Sequence, residues 1–294
     1  MKRLLALLTA LLLCLPLCAF AGEKCVIDLI SDPEAEYAFR EGAELLEVGF
    51  PALEGCDGFI LRCGGAAMLV DCGTNVQAAN VAAMLDAMGI DTVQHAFNSH
   101  PHNDHITGFE FLPEHITLER FYITFPDDWN STMRSAMQHI RQKNIPWETV
   151  EDGYVFTLGG ATATVIQRPK KSFATNDRSA MLMVRYGQRS LLLSADVELG
   201  AQNELLRNPP EGGLKADILK YPHHGVAKAG WNFFAQIAPE VCIATSKLKQ
   251  ISDTVKDCKK KGVPLYSTAH TPLLLRTDGE IWVLEEMPLP QSGE

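Results

Sequence analysis

Residues 99–108 read SHPHNDHITG and place three of the chain's nine histidines, together with an aspartate, between positions 100 and 105. Imidazole and carboxylate groups are the usual protein ligands of divalent transition metals. His100 and His102 are two residues apart, so in an extended segment both imidazoles lie on one side and can bind one ion. Asp104 and His105 continue into the following turn, where they can reach a second ion. This stretch therefore predicts a metal centre.

Two later segments place further metal-binding groups at the ends of predicted strands. Asp196 follows the apolar run 191–193, and the pair His223 and His224 follows the predicted strand 218–221. The SHPHNDHITG stretch itself follows a predicted strand over 93–98. Loops held by a rigid scaffold commonly carry chemistry, so we expect the three strand ends to meet. A closed structural zinc site is the alternative, but such sites often use thiolates and no cysteine lies near this stretch.

The rest of the chain alternates between strand and helix patterns, which predicts one α/β domain with two sheets. Apolar segments bounded by turn residues predict strands over 44–50, 58–63, 66–70, 121–125, 180–186, 190–193 and 241–245, with hairpins over 154–167 and 273–284. Helical spacing predicts helices over 76–88, 131–143, 199–207, 231–238 and 251–261.

The first residues are typical of a cleaved secretion signal. Lys2 and Arg3 precede an apolar run over 4–17, and Ala19-Phe20-Ala21 supplies a small-x-small cleavage pattern. The run is shorter than the roughly 20 residues that a spanning helix needs, which disfavours a membrane anchor. We therefore predict a signal peptide over 1–21, an N-terminal extension over 22–43, the folded domain over 44–288 and a flexible tail over 289–294. The mature protein is then extracytoplasmic, with no transmembrane segment.

The distribution of charge along the chain indicates which classes of binding partner are favoured. Loss of Lys2 and Arg3 takes the formal net charge from −10 to −12, which does not favour non-specific binding of nucleic acid. Between positions 215 and 261, however, nine lysines stand against four acids. The local positive charge is compatible with an anionic substrate. Lys220 and Lys228 flank the histidine pair, where they could attract a phosphate.

Six cysteines remain after removal of the signal, and outside the cytosol they permit disulfides, although their spacing selects no particular pairing.

These motifs resemble the metallo-β-lactamase superfamily. The pattern H-x-H-x-D-H over 100–105, the carboxylate after an apolar strand, the later histidine pair and the segment LVDCG over 69–73 are its signatures. The resemblance implies an αββα four-layer sandwich with a one- or two-metal hydrolytic site. More narrowly, residues 176–179, 189–198 and 219–225 resemble the hydrolase domain of the competence DNA-uptake channel protein ComEC, over about residues 44–284.

The resemblance also implies roles for individual residues. His100 and His102 would bind one metal, and Asp196 would bridge both. Asp104 and His105 would bind the other metal together with one histidine of the 223/224 pair, for which we expect His224. His223 would then donate a hydrogen bond to the substrate oxyanion, Asp104 would orient the nucleophile, and Asp71 would orient the metal loop.

Two departures from the superfamily pattern matter. A histidine usually stands between the H-x-H-x-D-H motif and the bridging aspartate, but the candidate here, His139, lies in a predicted amphipathic helix. Asn176 occupies the corresponding stretch and is expected to fill this position as a weak ligand or through water. Members that are oxygen-reducing di-iron proteins usually carry Glu where His102 stands, which disfavours that activity.

The resulting expectation is a secreted metal-dependent hydrolase that uses a metal-bridging hydroxide, with two divalent ions, zinc or alternatively manganese. The ComEC resemblance implies a phosphodiesterase acting on a small-molecule or polymeric substrate, with nuclease activity as one version. The alternatives are a lactam or lactone hydrolase, and a non-catalytic metal-binding protein of the same fold.

Overall fold

The computed structural model describes residues 26–28 and 39–287. The predicted signal peptide (1–21), the flexible tail (289–294) and most of the N-terminal extension lie outside the described residues. Within the described ranges, no helix has the length and apolar character needed to span a membrane.

Two large mixed sheets form the framework. In spatial order, the strands of the first sheet are β1 (Val26–Asp28), β18 (Trp282–Glu286), β17 (Leu273–Thr277), β2 (Leu46–Phe50), β3 (Phe59–Cys63), β4 (Ala66–Val70), β6 (His95–Asn98), β8 (Phe121–Ile123) and β9 (Trp147–Thr149). Those of the second sheet are β10 (Val155–Leu158), β11 (Ala161–Ile166), β12 (Met181–Tyr186), β13 (Arg189–Leu193), β14 (Ile218–Lys220), β15 (Val241–Ala244) and β16 (Leu265–Ser267). A separate parallel pair consists of β5 (Thr92–Val93) and β7 (Thr117–Leu118).

Six helices and three short 3₁₀ turns accompany the strands in the described part of the chain. The helices are α1 (Ala78–Ala87), α2 (Asn103–Ile106), α3 (Ser131–Gln142), α4 (Leu199–Arg207), α5 (Trp231–Ile237) and α6 (Ser252–Lys261). The 3₁₀ turns are Thr107–Phe111, Asn176–Arg178 and His223–Gly225.

Side-chain alternation along the strands produces four layers. In β3, Phe59 and Leu61 point into a core between the two sheets, whereas Ile60 points outward into the cluster that the apolar faces of α1 and α3 help to form. In β13, Leu191 lies in the core between the sheets, and Leu192 packs on the other face against α4 and α5. Each sheet is therefore covered by helices on its outer face, and the predicted αββα sandwich is confirmed.

The parallel strands direct their carboxyl ends to one edge of the sandwich. β4 and β6 are parallel neighbours in the first sheet, and β13 and β14 are parallel neighbours in the second. A hydrogen bond from the Ala180 backbone N–H to the Ser99 carbonyl, 3.1 Å long, joins the two sheets at this edge. The loops that follow β6, β13 and β14 carry the predicted metal-binding residues, and the loop that follows β4 carries Asp71.

Candidate metal centre

One carboxylate oxygen marks the middle of the site. Oδ2 of buried Asp196 has four imidazole nitrogens within 3.7 Å, one from each of four histidines. The nitrogens are Nε2 of His105 at 3.2 Å, of His224 at 3.5 Å, of His223 at 3.6 Å and of His100 at 3.7 Å. The structure thus brings together the three strand ends.

The metal-binding residues fall into two groups that share Asp196. The ligand atoms of His100, His102 and Asp196 lie within 4.8 Å of one another, as do those of Asp57, His105, Asp196 and His224. Asp104 adjoins the second group, because its Oδ2 lies 3.2 Å from Nε2 of His224. Two cation sites joined by one carboxylate are the arrangement that these groups would form.

Unpartnered buried atoms test whether such ions fit. Nε2 of His105, Nε2 of His224 and both carboxylate oxygens of Asp196 are buried without a hydrogen-bond partner in the described residues. Leaving a buried polar atom unpaired costs about 1–3 kcal/mol, and more for a charged group. Nε2 of His105 and Nε2 of His224 both face Asp196 Oδ2, so divalent ions would satisfy these atoms together, and the donor set of imidazole and carboxylate suits zinc or manganese.

Asp71 holds the loop that carries the motif. Its carboxylate accepts hydrogen bonds from Ser99 N at 2.8 Å, Ser99 Oγ at 2.6 Å and Asn98 Nδ2 at 2.9 Å. It also lies 2.8 Å from Nδ1 of His105. Occupying Nδ1 leaves Nε2 of that ring free to face Asp196, which is how an outer carboxylate orients a metal-binding histidine.

The glycine that ends the motif permits a close backbone approach. A Cβ atom at Gly108 would lie 1.9 Å from the carbonyl oxygen of Cys72. Two backbone hydrogen bonds join the same two loops: Gly108 N donates to Gly73 O at 2.9 Å, and Cys72 N donates to His105 O at 2.7 Å. Only glycine fits here, so the loop after β4 and the metal loop form one unit.

Asp57 belongs to the site and was missed by sequence reasoning. It is fully buried just before β3, and its Oδ1 lies 2.9 Å from Nδ1 of His224. Since Nε2 of that ring faces Asp104 and Asp196, the geometry favours Asp57 as the carboxylate that orients His224. The only signal in the sequence is a single acid before an apolar strand, which is too common to be informative.

Lys220 corrects another expectation. Its side chain is fully buried and its ammonium pairs with Asp57, donates to the Ala195 carbonyl at 3.1 Å and lies 3.9 Å from Asp196 Oδ1. The prediction that Lys220 attracts a phosphate is therefore wrong, because no substrate reaches a buried, paired ammonium. Lys220 instead places a positive charge behind the metal-binding carboxylates.

Backbone strain concentrates around the centre. Of the six described non-glycine residues with positive φ, four lie in its loops, namely Asp71, Ala195, His223 and His224. Each such residue costs on the order of 1 kcal/mol or more. His223 and His224 are adjacent, with φ of 49° and 56°, and this double left-handed turn brings both imidazoles to Asp196.

Neighbouring charges raise the pKa of two histidines of the centre and help to lower the pKa of a third. Burial opposes a charged imidazolium at His105, but the carboxylates of Asp196 and Asp71 raise the pKa of His105 to about 10. Burial likewise opposes charge at His224, yet Asp196 and Asp57 raise its pKa well above the ordinary value. At His100, burial and the charge of His105 lower the pKa well below its usual range.

These shifts predict that metal binding releases protons. At neutral pH and without metal, His105 and His224 are protonated, whereas a metal binds only the neutral ring. The apparent affinity for zinc should therefore rise from pH 6 to pH 8, because this range lies below the raised pKa of both residues. Calorimetry in two buffers of different ionisation heat should detect about two protons released per protein. An affinity independent of pH, with no proton release, would contradict this expectation.

Asn176 lies beside the centre. Its amide Nδ2 donates to Glu198 Oε1 at 3.1 Å and lies 3.4 Å from Nδ1 of His223, on the edge of that ring away from Asp196. This placement gives Nδ2 a supporting role, whereas Oδ1 of Asn176 is buried without a hydrogen-bond partner in the described residues, so the weak ligand role stays a prediction.

The other histidines lie elsewhere. His95 packs against Tyr122 and Phe156, and exposed His115 pairs with Asp86. His139 lies on α3 and lines a separate cleft, and exposed His270 lies among C-terminal loops. The cysteines of the described residues, Cys56, Cys63, Cys72, Cys242 and Cys258, are all free and buried.

Comparisons with known proteins agree with this fold. The chain resembles the metallo-β-lactamase fold protein YhfI from Bacillus subtilis, with 13% identity, a TM-score of 0.50 and coverage of 76% of this chain and 96% of that one. It also resembles the CmlA β-hydroxylase of Streptomyces venezuelae in an E377D mutant, with 13% identity, a TM-score of 0.50 and coverage of 82% of this chain but 55% of that one. At such identities the likeness shows the fold alone.

A search of curated proteins gave no match. Residues 53–270, however, match the family model described as the metallo-beta-lactamase superfamily, and this range contains every metal-binding candidate named above. The chain therefore belongs to the metallo-β-lactamase superfamily, whose members are generally metal-dependent hydrolases.

Proposed function

We propose that this protein is a metal-dependent phosphodiesterase that acts outside the cytoplasm after cleavage of residues 1–21. The observation that carries the choice of substrate is an exposed lysine, Lys228, in a cleft that His223 of the centre also lines. A cavity of about 460 Å³ is lined by His223, Glu198 and Lys228, and it shares Lys228 with a second cavity of about 490 Å³. The second cavity adds Lys256, Lys260 and Lys261 together with Asp253 and Asp257.

Among the described residues, no acid pairs with the ammonium groups of Lys228 and Lys260, and both side chains are exposed. The other two lysines are paired, Lys261 with Asp257 and Lys256 with Asp253. The remaining acids, Asp177 and Glu198, accept hydrogen bonds from backbone and side-chain N–H groups. A phosphodiester carries the complementary negative charge, whereas a lactam ring does not require one. The ComEC resemblance of residues 176–179, 189–198 and 219–225 points to the same substrate class.

Different residues would hold the two ions and orient the attacking water. His100, His102 and Asp196 would hold one ion, and Asp104, His105, Asp196 and His224 the other. Two divalent ions, zinc or alternatively manganese, would supply Lewis acidity and lower the pKa of water. Burial opposes ionisation of Asp104, but the neighbouring imidazole of His224, whose Nε2 lies 3.2 Å from Asp104 Oδ2, lowers the pKa of Asp104 to about 2. So weak a base stays ionised and orients the attacking water by accepting its hydrogen bond.

An activity panel tests the proposal. The zinc- or manganese-loaded mature protein should hydrolyse bis-p-nitrophenyl phosphate, and DNA would serve as the polymeric substrate. We expect Lys228→Ala to raise KM several-fold with little change in kcat, because unit charges about 4 Å apart in water attract by about 1 kcal/mol. Lys249→Ala removes a matched exposed lysine from outside the cleft and should leave KM unchanged.

Two outcomes would overturn it. Hydrolysis of a chromogenic lactam without cleavage of either phosphodiester would assign the lactam or lactone class instead. A loaded protein that binds metal but cleaves none of the three substrates would be a non-catalytic metal-binding protein.

A further inference from the structure

The first cation group is short of ligands. His100 and His102 supply two imidazoles, and their third partner, Asp196, is shared with the second group. The histidine that usually completes this site in the superfamily is absent, since His139 lies on α3 away from the centre. Building on the proposed two-ion centre, we propose that His223 completes the first site through Nε2 instead of donating a hydrogen bond to the substrate.

The position of His223 agrees with this role. Its Nε2 lies 3.6 Å from Asp196 Oδ2, and Nε2 of His100 lies 3.7 Å from the same oxygen. Both imidazoles therefore face the carboxylate that would bridge the ions. Nδ1 of His102 lies 3.1 Å from Nε2 of His100, which places these two imidazoles side by side, and His223 joins them through the shared contact with Asp196.

The hydrogen bonds of His223 decide which of its nitrogens has the free lone pair. Nδ1 lies 3.1 Å from Glu198 Oε1, and a carboxylate oxygen can only accept, so Nδ1 must carry the proton. In the neutral ring Nε2 is then the acceptor, and its lone pair faces Asp196. Such a ring can bind a metal, but it has no Nε2–H to donate to an oxyanion.

Glu198 is held in place for this task. Its Oε1 also accepts from Asn176 Nδ2 at 3.1 Å, and its backbone N–H donates to Asp177 Oδ1 at 2.9 Å. Glu198 follows Asp196 by two residues, so one short segment supplies both the bridging carboxylate and the carboxylate that orients His223. This repeats the pairing of Asp71 with His105 and of Asp57 with His224.

Metal binding, measured without any substrate, tests the role. We expect the full chain after cleavage of residues 1–21 to bind two zinc ions in a chelator competition with elemental analysis. His223→Ala should retain one ion and weaken the other at least 100-fold. Glu198→Gln, which removes only the orienting charge, should weaken the same ion about 10-fold. In the cobalt-loaded protein, both variants should change the visible absorption bands.

The controls separate the possible failures. His139→Gln removes a histidine outside the centre and should bind two ions normally, and circular dichroism of each variant verifies folding. If His223→Ala binds both ions with unchanged affinity and cobalt spectrum, then His223 is not a ligand, and the inference is overturned while the proposed function stands. If the parent protein binds no metal, both the inference and the proposed function fail.

Discussion

Replacing Asp196 with asparagine is expected to reduce hydrolysis by at least about 1,000-fold and to release at least one of the two ions. The amide keeps the shape of the carboxylate but removes the charge on which four imidazole nitrogens converge within 3.7 Å. Metal ions contribute several kcal/mol to hydrolytic transition states, and each 1.36 kcal/mol is a factor of ten in rate. Steady-state kinetics on bis-p-nitrophenyl phosphate, with elemental analysis, measure both effects.

The matched control for this variant is Asp91→Asn, which changes an exposed aspartate outside the centre. It should keep both ions and full activity. If Asp196→Asn retained two ions and more than a tenth of the activity, Asp196 would not bridge the ions.

Replacing Lys220 with methionine is expected to destabilise the protein by about 3–5 kcal/mol, because it removes one of the two cations, Lys220 and His224, that offset the buried carboxylate of Asp57. For a domain of this size, such a loss lowers Tm by roughly 6–20 °C. Thermal unfolding of the metal-free protein, followed by circular dichroism, measures it. Metal-free conditions matter, because bound ions would add their own stabilisation.

A double variant identifies the cause. Asp57→Asn together with Lys220→Met removes both charges, while the asparagine oxygen can still accept from His224 Nδ1, and we expect most of the stability to return. Lys259→Met, at an exposed position of α6, should change stability by less than about 0.5 kcal/mol. A Tm for Lys220→Met equal to that of the Lys259 control would show that the buried pair contributes nothing.

Much of the fold could be predicted from the sequence because its periodicities are local. The alternation in Leu46–Phe50 and the helical spacing in Ser131–Gln142 indicate which face of each element is apolar. The edge strands Trp147–Thr149 and Leu265–Ser267 were not predicted, because each has three residues and no buried side chain. Their strand form comes from pairing with a neighbour already in place.

The sequence by itself identified most of the candidate ligand side chains of the centre. His100, His102, Asp104 and His105 lie within six residues, and Asp196 and the pair 223/224 each follow an apolar strand, so local spacing alone indicated metal chemistry at strand ends.

Only the tertiary structure decided which charged side chains contact those histidines on the side away from the centre. Asp57 meets Lys220 and His224 across 163 and 167 positions of the chain, and Glu198 meets His223 across 25. No periodicity or spacing connects such partners, because the packing of two separate sheets brings them together. The orientation of each imidazole, and with it the difference between a ligand and a donor, follows from those distant contacts.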